Sequence, residues 1–324
     1  MERINIAVSL LYRFIRIRIM VKRKFILGSE WGYCKLYTGT KNADMLLVNN
    51  ILPLMLNLEK EGLIDKWFYI RYIDREFHIR LRFHLTDLIN IGTVIKSIYS
   101  EFKPLIICRR LSSLAYDTYS RELERYGDKT YEQTETIFYY DSLFLLQIMH
   151  KIFNTNAEKS KLRLMIALVC VDEFFDVISL NITNRILFSE QMRNNLREEF
   201  GFTNKVSTMQ FDKKYRYYKS DIEYYMSKES FPDDIEKLLA ERKKIMINLF
   251  SKLQYTLTIQ IEDYIASVIH MTMNRLFVSS NKIYEMLVYD FLFRYYNTSI
   301  YINTSLKNYK KCNNYIIFNY LRIQ

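Results

Sequence analysis

The chain has 324 residues, a formal net charge of +11 and a hydrophobic fraction of 49%, so we expect one large or two modest domains with a real core. Only 7 glycines and 3 prolines occur, which excludes a turn-rich all-β protein and a disordered chain. The positive charge indicates either an anionic partner or a lysine-rich surface. No basic run is long enough, or mixed enough with aromatic residues, to indicate direct nucleic-acid binding.

The cysteine pattern and the start of the chain bear on localisation. The cysteines are far apart in the sequence: Cys34, Cys108, Cys170 and Cys312. This spacing favours reduced thiols of a cytoplasmic protein over a zinc site or disulfide scaffold. Residues 1–24 are apolar but interrupted by arginines, and they fit neither a signal peptide nor a membrane span. We predict a linker-like leader, in which alternating Ile15, Ile17 and Ile19 indicate a strand.

The next stretch, residues 25–128, is predicted to be rich in sheet. Residues 31–37 alternate between large and small or polar side chains, which predicts a strand. Residues 43–61 have a helical period that predicts a helix ending at Gly62. Pro53 lies inside that pattern and is expected to kink or divide the helix.

A hairpin is predicted after this helix. Residues 67–72 and 77–85 read as two antiparallel strands joined by a tight polar turn. A helix over about 87–102 is expected to end before Pro104. Residues 105–108 predict one more short strand.

From residue 129 to residue 290 the pattern is helical. Predicted helices cover residues 130–153, 159–180, 189–200, 233–253 and 259–277. The state of residues 202–226 is left open, and residues 291–324 are predicted to be a low-complexity tail. The predicted fold class is therefore α+β, with a small antiparallel sheet and helices in the N-terminal part and a mostly α-helical C-terminal part.

Acidic side chains on the predicted helices are expected to form solvated helix faces. They are Glu132, Glu135, Asp172, Glu173 and Asp176. None has a histidine at a ligand spacing, so no metal site is expected.

The strand that begins at His78 carries the sharpest chemical pattern. Alternate residues of a strand share a face, which places His78, Arg80 and Arg82 together. Three cation-capable groups in line are stable when an anion lies over them. A solvated strand face is the alternative interpretation.

Two further patterns suggest chemistry. Glu122 and Arg125 lie three residues apart, so on a helical turn they either pair at the surface or face a cleft, where Glu122 could orient an arginine of the strand. His270 and Asn274 share one face of a predicted helix, and histidine is the natural proton-transfer group near neutral pH. A structural histidine is the alternative. Nucleophile-elbow, phosphate-loop and dinucleotide motifs are absent from the sequence.

Five segments carry a family resemblance. They are Gly-Ser-Glu-Trp at 28–31 with Lys-Leu-Tyr at 35–37, Trp-Phe-Tyr-Ile-Arg-Tyr at 67–72, His-Ile-Arg-Leu-Arg-Phe at 78–83, Tyr-Asp-Thr-Tyr at 116–119 leading into 122–127, and His270 with Asn-Arg-Leu at 274–276. In this order they resemble the C-terminal, glutamate-elimination domain of lanthipeptide dehydratases, which also occurs alone in thiopeptide-type bacteriocin biosynthesis. The resemblance implies that residues 25–290 form this domain.

In that family a separate domain esterifies peptide Ser or Thr with glutamate from glutamyl-tRNA. The domain that this chain resembles then eliminates glutamate and leaves dehydroalanine or dehydrobutyrine. The resemblance implies catalytic roles for His270, Arg82, Arg80, Glu122 and Arg125. Substrate-binding roles are expected for His78, Arg71, Lys35 and Asn274, and no cofactor is expected.

The implied partners are a glutamylated precursor peptide and a separate glutamyl-tRNA-dependent glutamylation subunit. Membrane association is expected only through a biosynthetic complex, and a homodimer is left open. One rival function is a stand-alone [4+2] cycloaddition enzyme that joins two dehydroalanines in thiopeptide biosynthesis. The other is a non-catalytic scaffold, or the relic of a split dehydratase.

Overall fold

The computed structural model describes residues 21–155, 158–227 and 231–299. The strand predicted at Ile15 to Ile19 lies outside these ranges. The chain divides into two compact units, one formed by Met1–His150 with Lys244–Val278 and the other by Lys151–Lys243 with Ser279–Gln324. Every residue that the sequence nominates for the site belongs to the first unit.

The strands within the described ranges all belong to the first unit. They are β1 (Lys24–Phe25), β2 (Trp31–Tyr37), β3 (Ile64–Ile73), β4 (Phe77–Leu85), β5 (Ser113–Tyr116) and β6 (Tyr119–Ser120). β3, β4, β2 and β5 form an antiparallel sheet in that order, while β1 pairs with β6. The predicted hairpin is confirmed as β3 and β4.

Helices make up most of the remaining described chain. They are α1 (Thr40–Leu46), α2 (Leu52–Lys60), α3 (Ile91–Ile107), α4 (Leu123–Tyr126), α5 (Tyr131–Phe153), α6 (Lys159–Val177), α7 (Ile182–Glu199), α8 (Lys205–Met226), α9 (Asp233–Leu253), α10 (Ile261–Leu276) and α11 (281–299). The α+β prediction is confirmed, with the sheet in the N-terminal part and helices after it. None of the helices within the described ranges is both long enough and apolar enough to cross a bilayer.

The sheet has two chemically different faces because side chains alternate along each strand. Cys34, Leu36, Ile79 and Leu81 are fully buried on the apolar face. The opposite face carries the charged side chains of β2 and β4. At position 32 a Cβ atom would lie 2.2 Å from the Phe83 ring, so only glycine allows the two strands to pack this closely.

The prolines have different effects from one another. Pro53 lies near the start of α2, just after a π-helical turn at Leu47–Ile51, and the backbone stays helical from α1 through this turn into α2. The predicted division of the helix is therefore wrong, and only the hydrogen-bond pattern changes before the proline. Pro104 lies inside α3, which continues to Ile107. The prediction that Pro104 ends the helix, and the strand predicted at 105–108, are therefore wrong.

The hydrogen bonds around Pro104 explain why α3 continues past it. Pro104 lacks an N–H, so it frees only the carbonyl of Ser100, which is exposed and can bind water. The next strand along the chain is instead β5, and directly after it the Asp117 N–H donates to the Tyr33 carbonyl at 3.1 Å.

Several helix limits also differ from the predictions. Residues 202–226, whose state was open, contain α8, and the Asn204 side chain caps its first turn. α7 begins at Ile182, before the predicted residue 189, because Asn181 caps it. The predicted boundary at residue 290 falls inside α11, and residues 300–324 of the predicted tail lie outside the described ranges. The domain limits themselves stay a prediction.

The prediction that the acidic residues are all solvated is wrong for Glu135 and Glu173. The Glu135 side chain is 1% exposed and bonds Arg121 at 2.6 Å. Glu173 is buried and bonds Arg242 at 2.9 Å, and burial raises its pKa to about 7. Both partners are distant in sequence, which explains why helical periodicity placed these carboxylates outside.

Candidate active site

The charged face of the sheet is built by the register of β2 and β4. The pairs that face each other are Tyr33 with Arg82, Lys35 with Arg80, and Tyr37 with His78. Directly opposed residues of antiparallel strands project to the same side. The prediction that His78, Arg80 and Arg82 share one face is therefore confirmed.

Arg82 is the buried member of this row, with 7% of its surface exposed. Its guanidinium lies over the rings of Tyr33 at 4.8 Å, Tyr119 at 4.9 Å and Phe68 at 5.3 Å. Within the described chain, its Nε and Nη1 atoms are buried and have no hydrogen-bond partner. A buried guanidinium with free N–H groups is a binding position for a carboxylate or oxyanion.

Arg80 and His78 are joined by a hydrogen bond. Arg80 Nε donates to His78 Nε2 at 3.2 Å, and the Arg80 guanidinium lies 3.3 Å from the centre of the Tyr72 ring. His78 Nδ1 lies 3.0 Å from the Glu76 carbonyl, so the neutral ring carries its proton on Nδ1. Burial lowers the pKa of His78, which agrees with its acceptor role toward Arg80.

Lys35 extends the same row toward β5. Its Nζ atom lies 2.6 Å from an Asp117 carboxylate oxygen. The hydrogen bond to Asp117 raises the pKa of Lys35, and the same bond lowers the pKa of Asp117. The Lys35 charge is therefore partly neutralised by a neighbour at the edge of the sheet.

Arg125 is placed by the short helix α4. Gly127 ends this helix with φ of +79°, and a Cβ there would lie 2.5 Å from Thr130 Oγ1, so only glycine fits. Arg125 Nε donates to Ser267 Oγ at 3.2 Å. An Arg125 nitrogen also lies 3.7 Å from a carboxylate oxygen of the exposed Glu122, so this pair contributes little stability.

His270 lies on α10 between two residues of the same helix that contact other parts of the first unit. Ser267, His270 and Asn274 lie on one face of α10 and are half-buried, whereas most of their neighbours are buried. Ser267 contacts Arg125, and Asn274 contacts the backbone of Arg71 on β3. His270 therefore lies about one helical turn from Ser267, which contacts Arg125, and about one turn from Asn274, which contacts the edge of the sheet.

Arg71 and Asn274 make their contacts inside the protein. Arg71 is 3% exposed and bonds Asp44 at 2.6 Å and the Arg275 carbonyl at 3.1 Å. Asn274 bonds both backbone groups of Arg71 at 2.8 Å. Their predicted role in substrate binding stays a prediction, while the contacts give them a role in seating α10.

Tyr131 links the Arg82 side of the site to α4. Burial raises the pKa of Tyr131, while hydrogen bonds to the Glu122 backbone and the Tyr119 side chain, and the positive charge of Arg82, act against that rise. Tyr119 in turn donates to Glu135 at 2.7 Å. The aromatic residues around Arg82 were not predicted, because tyrosine is so frequent in this sequence that no single one stands out.

A family model described as lantibiotic biosynthesis dehydratase C-term matches residues 31–296. The chain belongs to this family. Within the described residues, this lantibiotic dehydratase C-terminal domain has no group of three or more His, Cys, Asp or Glu that could hold a metal ion.

Two relatives show how this lantibiotic dehydratase domain compares with longer proteins. It is 28% identical over 259 residues to the epidermin biosynthesis protein EpiB of Staphylococcus epidermidis, covering 76% of this chain and 24% of EpiB. It is 27% identical over 296 residues to the nisin biosynthesis protein NisB of Lactococcus lactis subsp. lactis, covering 88% of this chain and 27% of NisB. The chain therefore spans about a quarter of the length of these relatives.

Solved structures share the fold. The tRNA-dependent lantibiotic dehydratase MibB from Microbispora sp. 107891 matches with a TM-score of 0.57 and 18% identity, over 82% of this chain and 28% of MibB. TsrL matches at 0.61 and 11% identity, over 83% of this chain and 95% of TsrL. TbtD, a pyridine synthase from thiomuracin biosynthesis, matches at 0.56 and 10% identity, over 83% of this chain and 100% of TbtD.

Proposed function

We propose that this chain eliminates glutamate from glutamylated Ser and Thr residues of a precursor peptide, giving dehydroalanine and dehydrobutyrine. The observation that carries the proposal is Arg82, a buried guanidinium with two nitrogen atoms that have no partner among the described residues. Such an arrangement destabilises the free protein and becomes favourable when an anion binds. A leaving glutamate supplies that anion.

The reaction needs a base and a place for negative charge. A base removes the Cα proton of the glutamylated residue, the electron pair forms the Cα–Cβ double bond, and the Cβ–O bond breaks to release glutamate. His270 is the proposed base, since it is half-buried on α10 about one turn from Ser267, which contacts Arg125. Arg82 and Arg80 are proposed to hold the developing oxyanion and the leaving carboxylate.

The remaining residues are proposed to act around these groups. Arg125 reaches from α4 to Ser267 on α10, and it is proposed to contact the substrate on this side of the site. Glu122 is exposed and orients Arg125 by a weak ion pair. Lys35 extends the cationic row toward solvent, while the neutral His78 accepts a hydrogen bond from Arg80 and positions it.

Elimination is favoured over the two rival functions. When structures are compared, the identity is 18% to the lantibiotic dehydratase MibB but 10% to the pyridine synthase TbtD. A cycloaddition between two dehydroalanines releases no glutamate that would require the buried Arg82. An arginine whose buried nitrogens are unpaired lowers the stability of the free protein, so its presence supports a binding role over a scaffold or relic.

The proposed partners follow from the reaction. The substrate is a precursor peptide that already carries the glutamyl ester, so a separate glutamyl-tRNA-dependent subunit must supply it. The chain spans only about a quarter of EpiB and NisB, which leaves room in those relatives for such a function.

The test uses the purified chain and a synthetic peptide with one glutamylated Ser, followed by mass spectrometry. We expect loss of the glutamyl group and a product with one dehydroalanine. A dehydrated thiazole-containing peptide, offered separately, should remain unchanged. Arg82→Met should abolish glutamate release, whereas Arg75→Met at the exposed hairpin turn should not. Ring formation from the dehydrated peptide without glutamate release would establish the cycloaddition function instead.

A further inference from the structure

The two edges of the main sheet differ in how their backbone groups are satisfied. At the β3 edge, Tyr69 N–H lies 3.4 Å from Ser142 Oγ. Asn274 bonds both the N–H and the carbonyl of Arg71 at 2.8 Å. Side chains from α5 and α10 therefore close this edge, as the need to satisfy backbone groups demands.

The β5 edge is open in the described part of the chain. Asp117 N–H donates to the Tyr33 carbonyl, and antiparallel alternation then turns the backbone of Ala115 toward β2. The N–H and carbonyl groups of Leu114 and Tyr116 point away from the sheet. Among the described residues, none donates to or accepts from these outward groups.

β5 is short, at four residues, but it lacks the other features that protect an exposed edge. Its sequence, Ser-Leu-Ala-Tyr, contains no charge and no proline, and Ser113 and Ala115 are exposed. Protected edges carry lysine, proline or a bulge that prevents another strand from pairing. β5 is therefore a suitable template for an extended segment.

The charge next to β5 indicates which kind of segment fits. Lys35 is directly opposite both Ala115 and Arg80, so the cationic row leads from β4 to the β5 edge on one face. A strand added to β5 would run beside this row. An anionic side chain on that face would approach Lys35, where it would share the ammonium group with Asp117, which already lies 2.6 Å from it.

The chain's own ends are poor candidates for this position. Residues 1–20 contain four arginines and one glutamate, and residues 300–324 contain three lysines and one arginine with no acidic residue. A second copy would bring the same uncharged strand and the same cations. Charge complementarity therefore favours a foreign, anionic segment.

We propose that the outer edge of β5 binds the substrate peptide as an added antiparallel or parallel strand. This proposal rests on the proposed function, because it assigns the peptide that carries the glutamyl group. Backbone hydrogen bonds hold an extended peptide whatever its side chains are. Neighbouring strands lie about 4.8 Å apart, and β5 and β2 would separate the added strand from β4, so the added strand lies about 14 Å from β4. The part of the peptide that binds β5 is therefore next to the reacting residue in the peptide sequence and does not include it.

The test is residue-resolved amide hydrogen exchange of the full chain. The probe is a synthetic peptide in which 2,3-diaminopropionate carries glutamate as an amide, so that no elimination occurs. At about 90% occupancy we expect exchange of the Leu114 and Tyr116 amides to slow about tenfold. The Ala115 amide, already bonded to β2, should be unchanged, and free glutamate alone should slow none of them.

Two outcomes overturn the proposal: no slowing at saturating probe, or slow exchange of Leu114 and Tyr116 before the probe is added. Glutamate release from the ester form of the same peptide separates this proposal from the proposed function. Release without slowing rejects the β5 edge and keeps the elimination. Slowing without release keeps the β5 edge and rejects the elimination.

Leu114→Pro provides a second measurement. It removes an outward N–H and leaves the hydrogen bonds between β2 and Ala115 in place, which is compatible with an edge strand. We expect probe affinity to fall about tenfold, the effect of losing one well-formed hydrogen bond of about 1.4 kcal/mol. Unchanged affinity in a folded Leu114→Pro variant would also reject the proposal.

Discussion

Asn274 takes the place of a neighbouring strand for Arg71. Its side-chain oxygen accepts the Arg71 N–H and its side-chain nitrogen donates to the Arg71 carbonyl, each at 2.8 Å. This pair joins α10 to the edge of β3, one helical turn after His270. The proposed base is therefore fixed relative to the arginine row by a contact that contains no catalytic group.

Asn274→Ala is expected to lower the free energy of unfolding by about 2–3 kcal/mol, because two part-buried backbone groups lose their partners. Asn274→Asp should be at least as damaging, since a carboxylate oxygen would then face the Arg71 carbonyl. Urea denaturation gives the values. Exposed Asn49→Ala serves as the control and should change stability by less than about 0.5 kcal/mol. A loss below about 1 kcal/mol for Asn274→Ala would contradict the role of this contact.

Arg82→Met is expected to separate stability from activity. The two unpaired buried nitrogens of Arg82 destabilise the free protein, so their removal should leave the free energy of unfolding unchanged or raise it by up to about 2 kcal/mol. Glutamate release should fall at least about 100-fold. Arg121→Met is the matched control: Arg121 is buried but bonded to Glu135, and its loss should destabilise by about 3–5 kcal/mol. Equal destabilisation by both variants would argue against a binding role for Arg82.

His270→Ala is expected to reduce kcat about 100- to 10,000-fold through loss of the base, with little change in KM. The side chain is half-buried, so the fold should tolerate the change. Glutamylated peptide should accumulate, which mass spectrometry detects directly. His150→Ala, at an exposed position on α5, should retain full activity. Normal dehydration by His270→Ala would remove this residue from the mechanism.

The pKa of His78 predicts how stability depends on pH. Burial lowers this pKa below its value of 6.5 in the unfolded chain, so the folded state resists protonation. The contribution of neutral His78 is complete above pH 6.5 and is lost as the pH falls below it, because the unfolded chain then binds the proton more readily. Thermal melts from about pH 8 to about pH 5 should therefore show that the melting temperature falls more steeply toward low pH for the wild type than for His78→Leu. Parallel curves would show that His78 does not contribute.

Gly127→Ala should destabilise the turn that carries Arg125 by more than about 2 kcal/mol, because it combines a positive φ with a Cβ placed 2.5 Å from Thr130 Oγ1. Gly92→Ala at the start of α3 has open space around its Cβ and should stabilise by up to about 1 kcal/mol. Denaturation curves of the two variants should therefore move in opposite directions. Movement in the same direction would contradict the strain at Gly127.

The sequence by itself determined the elements with strong local signals. Alternation placed β2, β3 and β4 and put His78, Arg80 and Arg82 on one face, since a strand allows no other arrangement of alternate side chains. Helical periodicity located α5, α6, α9 and α10. It failed at Pro104, where exposure of the freed carbonyl rather than local preference decides whether a helix continues.

Only the tertiary structure decided which of these side chains are free to act. Asn274 has the residue type of a ligand-binding group, yet its side chain bonds both backbone groups of Arg71. Among the described residues, Arg71 keeps one buried nitrogen without a partner, Nη1, whereas Arg82 keeps two, Nε and Nη1. Such differences come from residues that are about 200 positions apart, as between Arg71 and Asn274. Local patterns set which face a residue occupies, but only packing decides what it meets there.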